Sequence, residues 1–207
     1  MISKLTISDI NQVAKIHRKE LTGFLPELGE GFLQKFYRHS LEVAEMFSYV
    51  VRGNEDVLGF VSATTSAKGL YKKIIFKDLV GYGLIILRYF ITHFDKLGRI
   101  GQFFFYPGFK QHGPELLILA VTRDYQRRGI GKNLFKQVAL EFKRRGIRIF
   151  KVSTYDKLPA NGFYKKIGCK FEYSFNYMGE KMNYYSYKTR ISKSEIRSTK
   201  LETNSNS

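Results

Sequence analysis

ELLILAVTRDYQRRGIGKNLFKQVALEFKRR, residues 115–145, is the stretch on which the reading of the fold turns. Residues 116–121 are an uninterrupted apolar run with β-branched members, the length of one buried strand. Residues 122–125 are a polar turn. Gln126-Arg127-Arg128-Gly129-Ile130-Gly131 then opens a helix in which Ile130, Leu134, Val138 and Phe142 recur every fourth residue. Phe135 and Ala139 widen that apolar stripe. Lys143, Arg144 and Arg145 suit the negative end of the helix, and Gly146 suits the position just past it. The predicted order is strand, glycine-containing turn, helix.

That order has a chemical use. The first amides of a helix lack partners within it and sit at the positive end of its dipole. Gly129 and Gly131 let a bulky anion approach the backbone without meeting a Cβ. Gln126, Arg127, Arg128 and Lys132 add donors and positive charge around the turn. A diphosphate held mainly by main-chain N–H groups is the ligand this pattern predicts. The same residues also fit an ordinary strand-to-helix connection with surface arginines.

Two nucleotide signatures fit poorly. A Walker loop needs Ser or Thr after its lysine, and Lys132 is followed by Asn133. A dinucleotide-binding turn starts directly after its strand, whereas four polar residues intervene here. The stretch resembles the acetyl-CoA-binding core of the GNAT superfamily of N-acetyltransferases, whose signature is Gln/Arg-x-x-Gly-x-Gly/Ala. Gln126, Gly129 and Gly131 stand at its three defining positions.

Working outward, residues 4–7 read as a short first strand and residues 8–21 as a helix capped by Ser8 or Asp9. Pro26 and three glycines make 23–31 a loop, and a second helix covers 32–43. Residues 47–52 and 57–65 form a hairpin around Gly53-Asn54-Glu55-Asp56. Residues 66–113 make an insert too long for a simple connection. Its apolar part, 70–94, reads as one or two helices mostly buried against the domain, since Arg88, Gly81 and Gly83 weaken it as a membrane span. Basic residues flank it, which suits peripheral contact with an acidic membrane face. An aromatic loop, 102–109, leads to the central strand.

After the central helix, 147–154 reads as a strand alternating Ile147, Ile149 and Val152 with basic residues. Pro159 begins a helix with Ala160, Phe163, Tyr164 and Ile167 on one face. Residues 171–178 and 181–187 form a closing hairpin. Residues 191–207 have little to bury, and a disordered tail is expected after one domain over 1–190.

NGFYKKIGCKF, residues 161–171, is similar to the second cofactor segment of the same family, in which Asn-x-x-x-Tyr leads into Gly-Phe. Cys169 replaces the usual aromatic after Gly168, and Phe171 follows. The resemblance implies an α/β GNAT fold: a mixed, mostly antiparallel sheet splayed at its central parallel pair, helices on both faces, and here a helical insert. It places the pantetheine beside Leu119 and Val121, where an unpaired strand edge could take its amides. The diphosphate falls over Gln126, Arg127, Arg128, Gly129, Ile130, Gly131 and Lys132, and Asn161 and Tyr164 also meet the cofactor. Tyr164 is the candidate general acid for the leaving sulfur and Glu115 the candidate base, with His112 as an alternative base.

Composition agrees with an anionic ligand. There are 35 Lys plus Arg against 18 Asp plus Glu, a net charge of +17, with 43% hydrophobic and 26% charged residues. Cys169 is the single cysteine, which excludes an intrachain disulfide, and it has no acid–base partner in sequence to make it a nucleophile. Cysteine and histidine are too sparse for a structural zinc, and no metal is expected. The basic residues follow no recognised nucleic-acid module, so no nucleic-acid partner is expected. MISKLTISDINQ lacks the apolar core of a secretory signal, and a cytoplasmic location is expected.

The expected activity is acetyl transfer from acetyl-CoA to a primary amine. Residues 21–37, LTGFLPELGEGFLQKFY, look similar to family members associated with surface polysaccharides. An amino sugar, free or nucleotide-linked, is therefore the preferred small-molecule acceptor. A protein amine is the alternative acceptor, and a noncatalytic acyl-CoA-sensing module the alternative class.

Overall fold

The computed structural model describes residues 1–93, 113–177 and 179–189. The expected aromatic loop, His112 and the tail at 191–207 lie outside them. In chain order the elements are β1 (Ile2–Lys4), α1 (Ile10–Glu20), α2 (Phe24–Glu27), α3 (Glu30–Ser40), β2 (Met46–Gly53) and β3 (Asp56–Thr64). The insert contributes α4 (Leu70–Ile75) and α5 (Leu79–Thr92). There follow β4 (Glu115–Val121), α6 (Ile130–Arg144), β5 (Ile149–Tyr155), α7 (Ala160–Lys166), β6 (Lys170–Tyr177) and β7 (Glu180–Lys188).

The strands form one sheet in the order β1-β2-β3-β4-β5-β7-β6. Hairpins join β2 to β3 and β6 to β7, the pairs β1–β2, β3–β4 and β5–β7 are also antiparallel, and α6 crosses over between β4 and β5 and so leaves them parallel. Each face of the sheet carries its own apolar cluster. On one face, α1, α3, α4 and α5 cover Val50, Phe60, Ile118 and Ala120. On the other, α6 and α7 cover Phe47, Val61, Leu116, Phe150 and Val152. Helix α6 buries Leu134, Phe135, Val138 and Phe142, the stripe read from its sequence. Each such side chain stabilises by roughly 1.5–3 kcal/mol.

The parallel pair is short. Only Glu115↔Lys151 and Leu116↔Val152 are in register, after which β4 and β5 diverge. On its other side β4 remains paired to β3 as far as Gly59↔Val121. That ladder slips between Ser62 and Ala63, where Leu117 is an extra residue on β4. As a result Leu117 and Ile118 pack toward one face, while Leu116, Leu119 and Val121 pack toward the other.

Four expectations change. The first strand is Ile2–Lys4 rather than 4–7, because Thr6 and Asp9 already form the helix entry: Thr6 N–H donates to Asp9 Oδ2 at 2.8 Å. The loop at 23–31 contains the short α2 and the start of α3. In β5 the core residues are Phe150 and Val152, and Ile149 is 52% exposed, so the alternation runs one residue out from that expected. The insert does form two helices, but α5 buries only one side, and its large apolar side chains on the other stand in solvent. No helix among the described residues is long and apolar enough to cross a membrane.

Candidate active site

The divergence of β4 from β5 opens two clefts. The larger, about 880 Å³, lies over the start of α6 and is lined by Leu119, Val121, Gln126, Arg127, Gly129, Gly131 and Lys132. From α7 it gains Ala160, Gly162, Phe163, Tyr164 and Lys166. The turn leading into it is held from within, because Gln126 Nε2 donates to the Val121 carbonyl at 2.9 Å. Arg127 and Gly129 both take left-handed φ, +60° and +83°. A non-glycine residue in that region is strained, a feature that clusters at ligand-binding turns. Asn133 N–H, bonded to the Gly129 carbonyl, is the first amide of α6 to find a main-chain acceptor there. The amides before it remain directed out of the helix, as the positive end of a helix requires.

The other cleft, about 200 Å³, lies on the opposite side of the divergence. It is walled by Leu21–Pro26 of the loop and α2, by Tyr71 of α4, and by Glu115, Ser153, Tyr155 and Tyr177 of the sheet. The two clefts share Leu21, Leu119, Ala160 and Tyr164. Tyr164 therefore stands at the passage between them. It is 6% exposed, touches the rings of Phe135, Phe163 and Tyr185, and is pushed above the ordinary tyrosine pKa by burial and by nearby Cys169.

Glu115 is at the base of the smaller cleft, 2% exposed. Its register partner Lys151 is buried with it, Nζ lying 3.3 Å from Oε2. That distance makes an ion pair, and among the described residues no group meets Oε2 in good hydrogen-bond geometry. Burial raises the Glu115 pKa above that of an ordinary glutamate, although Lys151 and Ser153 draw it back. A buried carboxylate with one open oxygen is an acceptor waiting for a donor. On the facing helix His17 is buried, its Nδ1 2.6 Å from the Tyr37 hydroxyl, and burial lowers its pKa to about 3.

Most of the residues singled out in the sequence converge here, and three behave differently. Asn161 has its side chain committed to the chain. Nδ2 lies within 3.0 Å of the carbonyls of Tyr155, Asp156 and Leu158, and Oδ1 accepts from Asn183 and Tyr185. It shapes the turn before α7 and does not line either cleft. Arg128 lies over the Tyr125 ring at 5.1 Å, outside the cleft lining. Ile130 packs its side chain into the core under α6. Lys151, Tyr71, Tyr155 and Tyr177 were not found from sequence as site residues. Only the basic alternation in β5 hinted at Lys151, and that pattern reads as a solvated edge. Cys169 is buried, and burial pushes its thiol up to about 12, so it stays a thiol at neutral pH.

The acetyltransferase (GNAT) domain family matches residues 44–169. No curated protein matches the chain. Among solved structures, a ribosomal-protein-alanine N-acetyltransferase of Escherichia coli is similar with a TM-score of 0.58 and 13% identity, over 93% of this chain and 95% of that one. PaiA N-acetyltransferase of Thermoplasma acidophilum in complex with coenzyme A gives 0.57 and 15%, over 90% and 98%. Arabidopsis thaliana NAA60 in complex with acetyl-CoA gives 0.55 and 17%, over 91% and 97%. These likenesses are of fold.

Proposed function

The chain belongs to the GNAT acetyltransferase family, and on that premise we propose that it transfers the acetyl group of acetyl-CoA to a small polar primary amine, with an amino sugar or nucleotide-linked amino sugar as preferred acceptor. The observation that carries this reading is the pair of clefts meeting at Tyr164. The larger has the size, the unpaired strand edge and the cationic rim of Arg127, Lys132 and Lys166 that a phosphorylated thioester needs. The smaller has a buried carboxylate at its base and the tyrosines 71, 155 and 177 on its walls. Aromatic walls suit the apolar face of a sugar ring, and the carboxylate suits an ammonium.

In the proposed reaction Glu115, directly or through water, takes a proton from the entering ammonium. The freed amine attacks the thioester carbon; the C–N bond forms, the C–S bond breaks, and the second proton that nitrogen sheds on becoming an amide passes through water to the departing thiolate sulfur. Tyr164 donates a hydrogen bond to that sulfur. Burial makes its phenol a weak full proton donor, so most of its effect is to stabilise developing charge. Lys151 keeps Glu115 ionised against the cost of burial. With Cys169 buried and protonated, transfer is direct, and sequential kinetics are expected. A panel of amines, including amino-sugar nucleotides and peptide N-termini, assayed with acetyl-CoA for thiol release tests the reading. Turnover of peptides alone would move the acceptor to a protein amine. Tight acetyl-CoA binding with no turnover of any amine would favour a sensing module.

A further inference from the structure

Helix α5 has two unlike sides. Tyr82, Tyr89 and Phe90 are buried in the cluster with α1 and α3. Phe76, Leu79, Val80, Leu84, Leu87 and Ile91 are between 58% and 74% exposed. Positions 80, 84, 87 and 91 recur at helical spacing within α5, so their side chains form one ridge along about 16 Å of helix. Scattered exposed apolar residues are ordinary, but a continuous ridge of this kind marks an interaction surface.

The ridge is also held rigidly in place. Asp78 Oδ1 accepts from Gly81 N–H at 2.9 Å, and Lys35 of α3 forms an ion pair with the same carboxylate. A side chain at position 81 would collide with Asp78, which accounts for the glycine at this otherwise unfavourable helix position. Farther along, the Tyr89 hydroxyl donates to Glu27 Oε2 at 2.7 Å. The exposed side is therefore presented by an anchored helix.

We propose that this ridge docks on an anionic bilayer surface. Within α5 the only charged residue is Arg88, and residues 66–93 carry Lys68, Lys72, Lys73, Lys77 and Arg88 against Asp78 alone. Lys73 and Lys77 meet Glu45 and Glu42, and the chain as a whole carries +17. Anionic headgroups complement that charge, and acyl chains complement the ridge. A second copy would have to bring a like-charged rim, on a chain of net charge +17, against this one. At about 21 Å the helix falls short of the roughly 30 Å hydrocarbon core, so it lies along the surface.

Co-sedimentation of the full chain with phosphatidylcholine vesicles, with and without phosphatidylglycerol, tests the proposal. Binding is expected to the phosphatidylglycerol vesicles, weakening as salt rises. A Val80→Gln/Leu84→Gln/Leu87→Gln variant should lose about ten-fold or more in partitioning, with acetyl-CoA affinity and Tm unchanged. Lys72→Gln and Arg88→Gln should each cost about five-fold. The proposal is overturned if the parent stays in the supernatant, or if the triple variant binds as the parent does. It is equally overturned if sedimentation velocity finds a parent dimer that the triple variant dissolves, for then the ridge belongs to a second copy.

Discussion

The two clefts are built by opposite means. The larger is mostly local: eight residues between 119 and 132 supply one wall and α7 most of the other. Its recognition groups are main-chain amides and surface cations, which tolerate much change in side chain. The smaller cleft gathers residues from α1, the segment 21–26, α4, β4, β5, α7, β6 and β7. Its recognition groups are side chains, two of them buried ionisable groups. A site made from backbone can be stated in a short motif, whereas a site made from scattered side chains is specified only by the folded chain.

The strongest test of this contrast is the residue common to both. Tyr164→Phe should lower kcat by about 100-fold or more while acetyl-CoA Kd stays within a few fold, read by stopped-time thiol release and by titration. If Kd rises as steeply as kcat falls, Tyr164 belongs to the larger cleft alone. Next in size is Glu115→Gln, expected to reduce kcat by about 100-fold and to leave acetyl-CoA binding intact. The parent's kcat should fall on the acid side as Glu115 takes up a proton, at a pH above that of an ordinary glutamate because burial raises its pKa. The variant should lack that limb, and an unchanged pH profile would remove Glu115 from the base role.

Gly129→Val should act on the larger cleft only. Its φ of +83° penalises any β-branched side chain, although no atom stands within 4 Å to block one. A weakening of acetyl-CoA binding by about 1–3 kcal/mol is expected, with acceptor KM little changed. Parent-like affinity would show that the turn does not cradle the diphosphate.

The smallest effect belongs to His17 on the acceptor side. Its folded pKa is depressed to about 3, so below pH 6.5 the unfolded chain binds a proton that the folded chain refuses. Stability from this group is present above pH 6.5 and is lost as pH falls. Between pH 7 and pH 6 the loss is about 0.7 kcal/mol. Glu115, with a raised pKa, acts with the opposite sign, so the measurement is the difference in urea unfolding between parent and His17→Gln at the two pH values. Equal pH dependence in the two proteins would contradict a buried neutral His17.

The same contrast explains what could be read before the fold. The strand, turn and helix of residues 115–145 were legible because local period, caps and glycine positions all agreed. Gln126, Gly129, Gly131 and Tyr164 followed from short motifs. Lys151 was hidden because a lysine in an alternating strand looks solvated until its parallel neighbour proves to be Glu115. Tyr71 was hidden because its role depends on where the insert folds back. For Asn161 the motif position suggested a ligand contact, and the fold adds that its side-chain hydrogen bonds organise the turn before α7. The exposed side of α5 was misjudged because an apolar helix is usually assigned to the core, and composition alone does not say which side is covered.

The extra residue in β4 has a consequence for how this strand can change. Substitution at Leu117 alters a side chain, but pairing all seven residues of the strand without the bulge would alter phase. A regular ladder from Glu115 to Val121 would put Leu116 and Ile118 on the same face, in place of their present opposite clusters. Either Glu115 would be turned out of the smaller cleft, or Leu119 and Val121 would be turned away from the larger one. The strand thus keeps its two ends half a period apart by leaving Leu117 out of the pairing, so that Glu115 faces one cleft and Leu119 and Val121 the other.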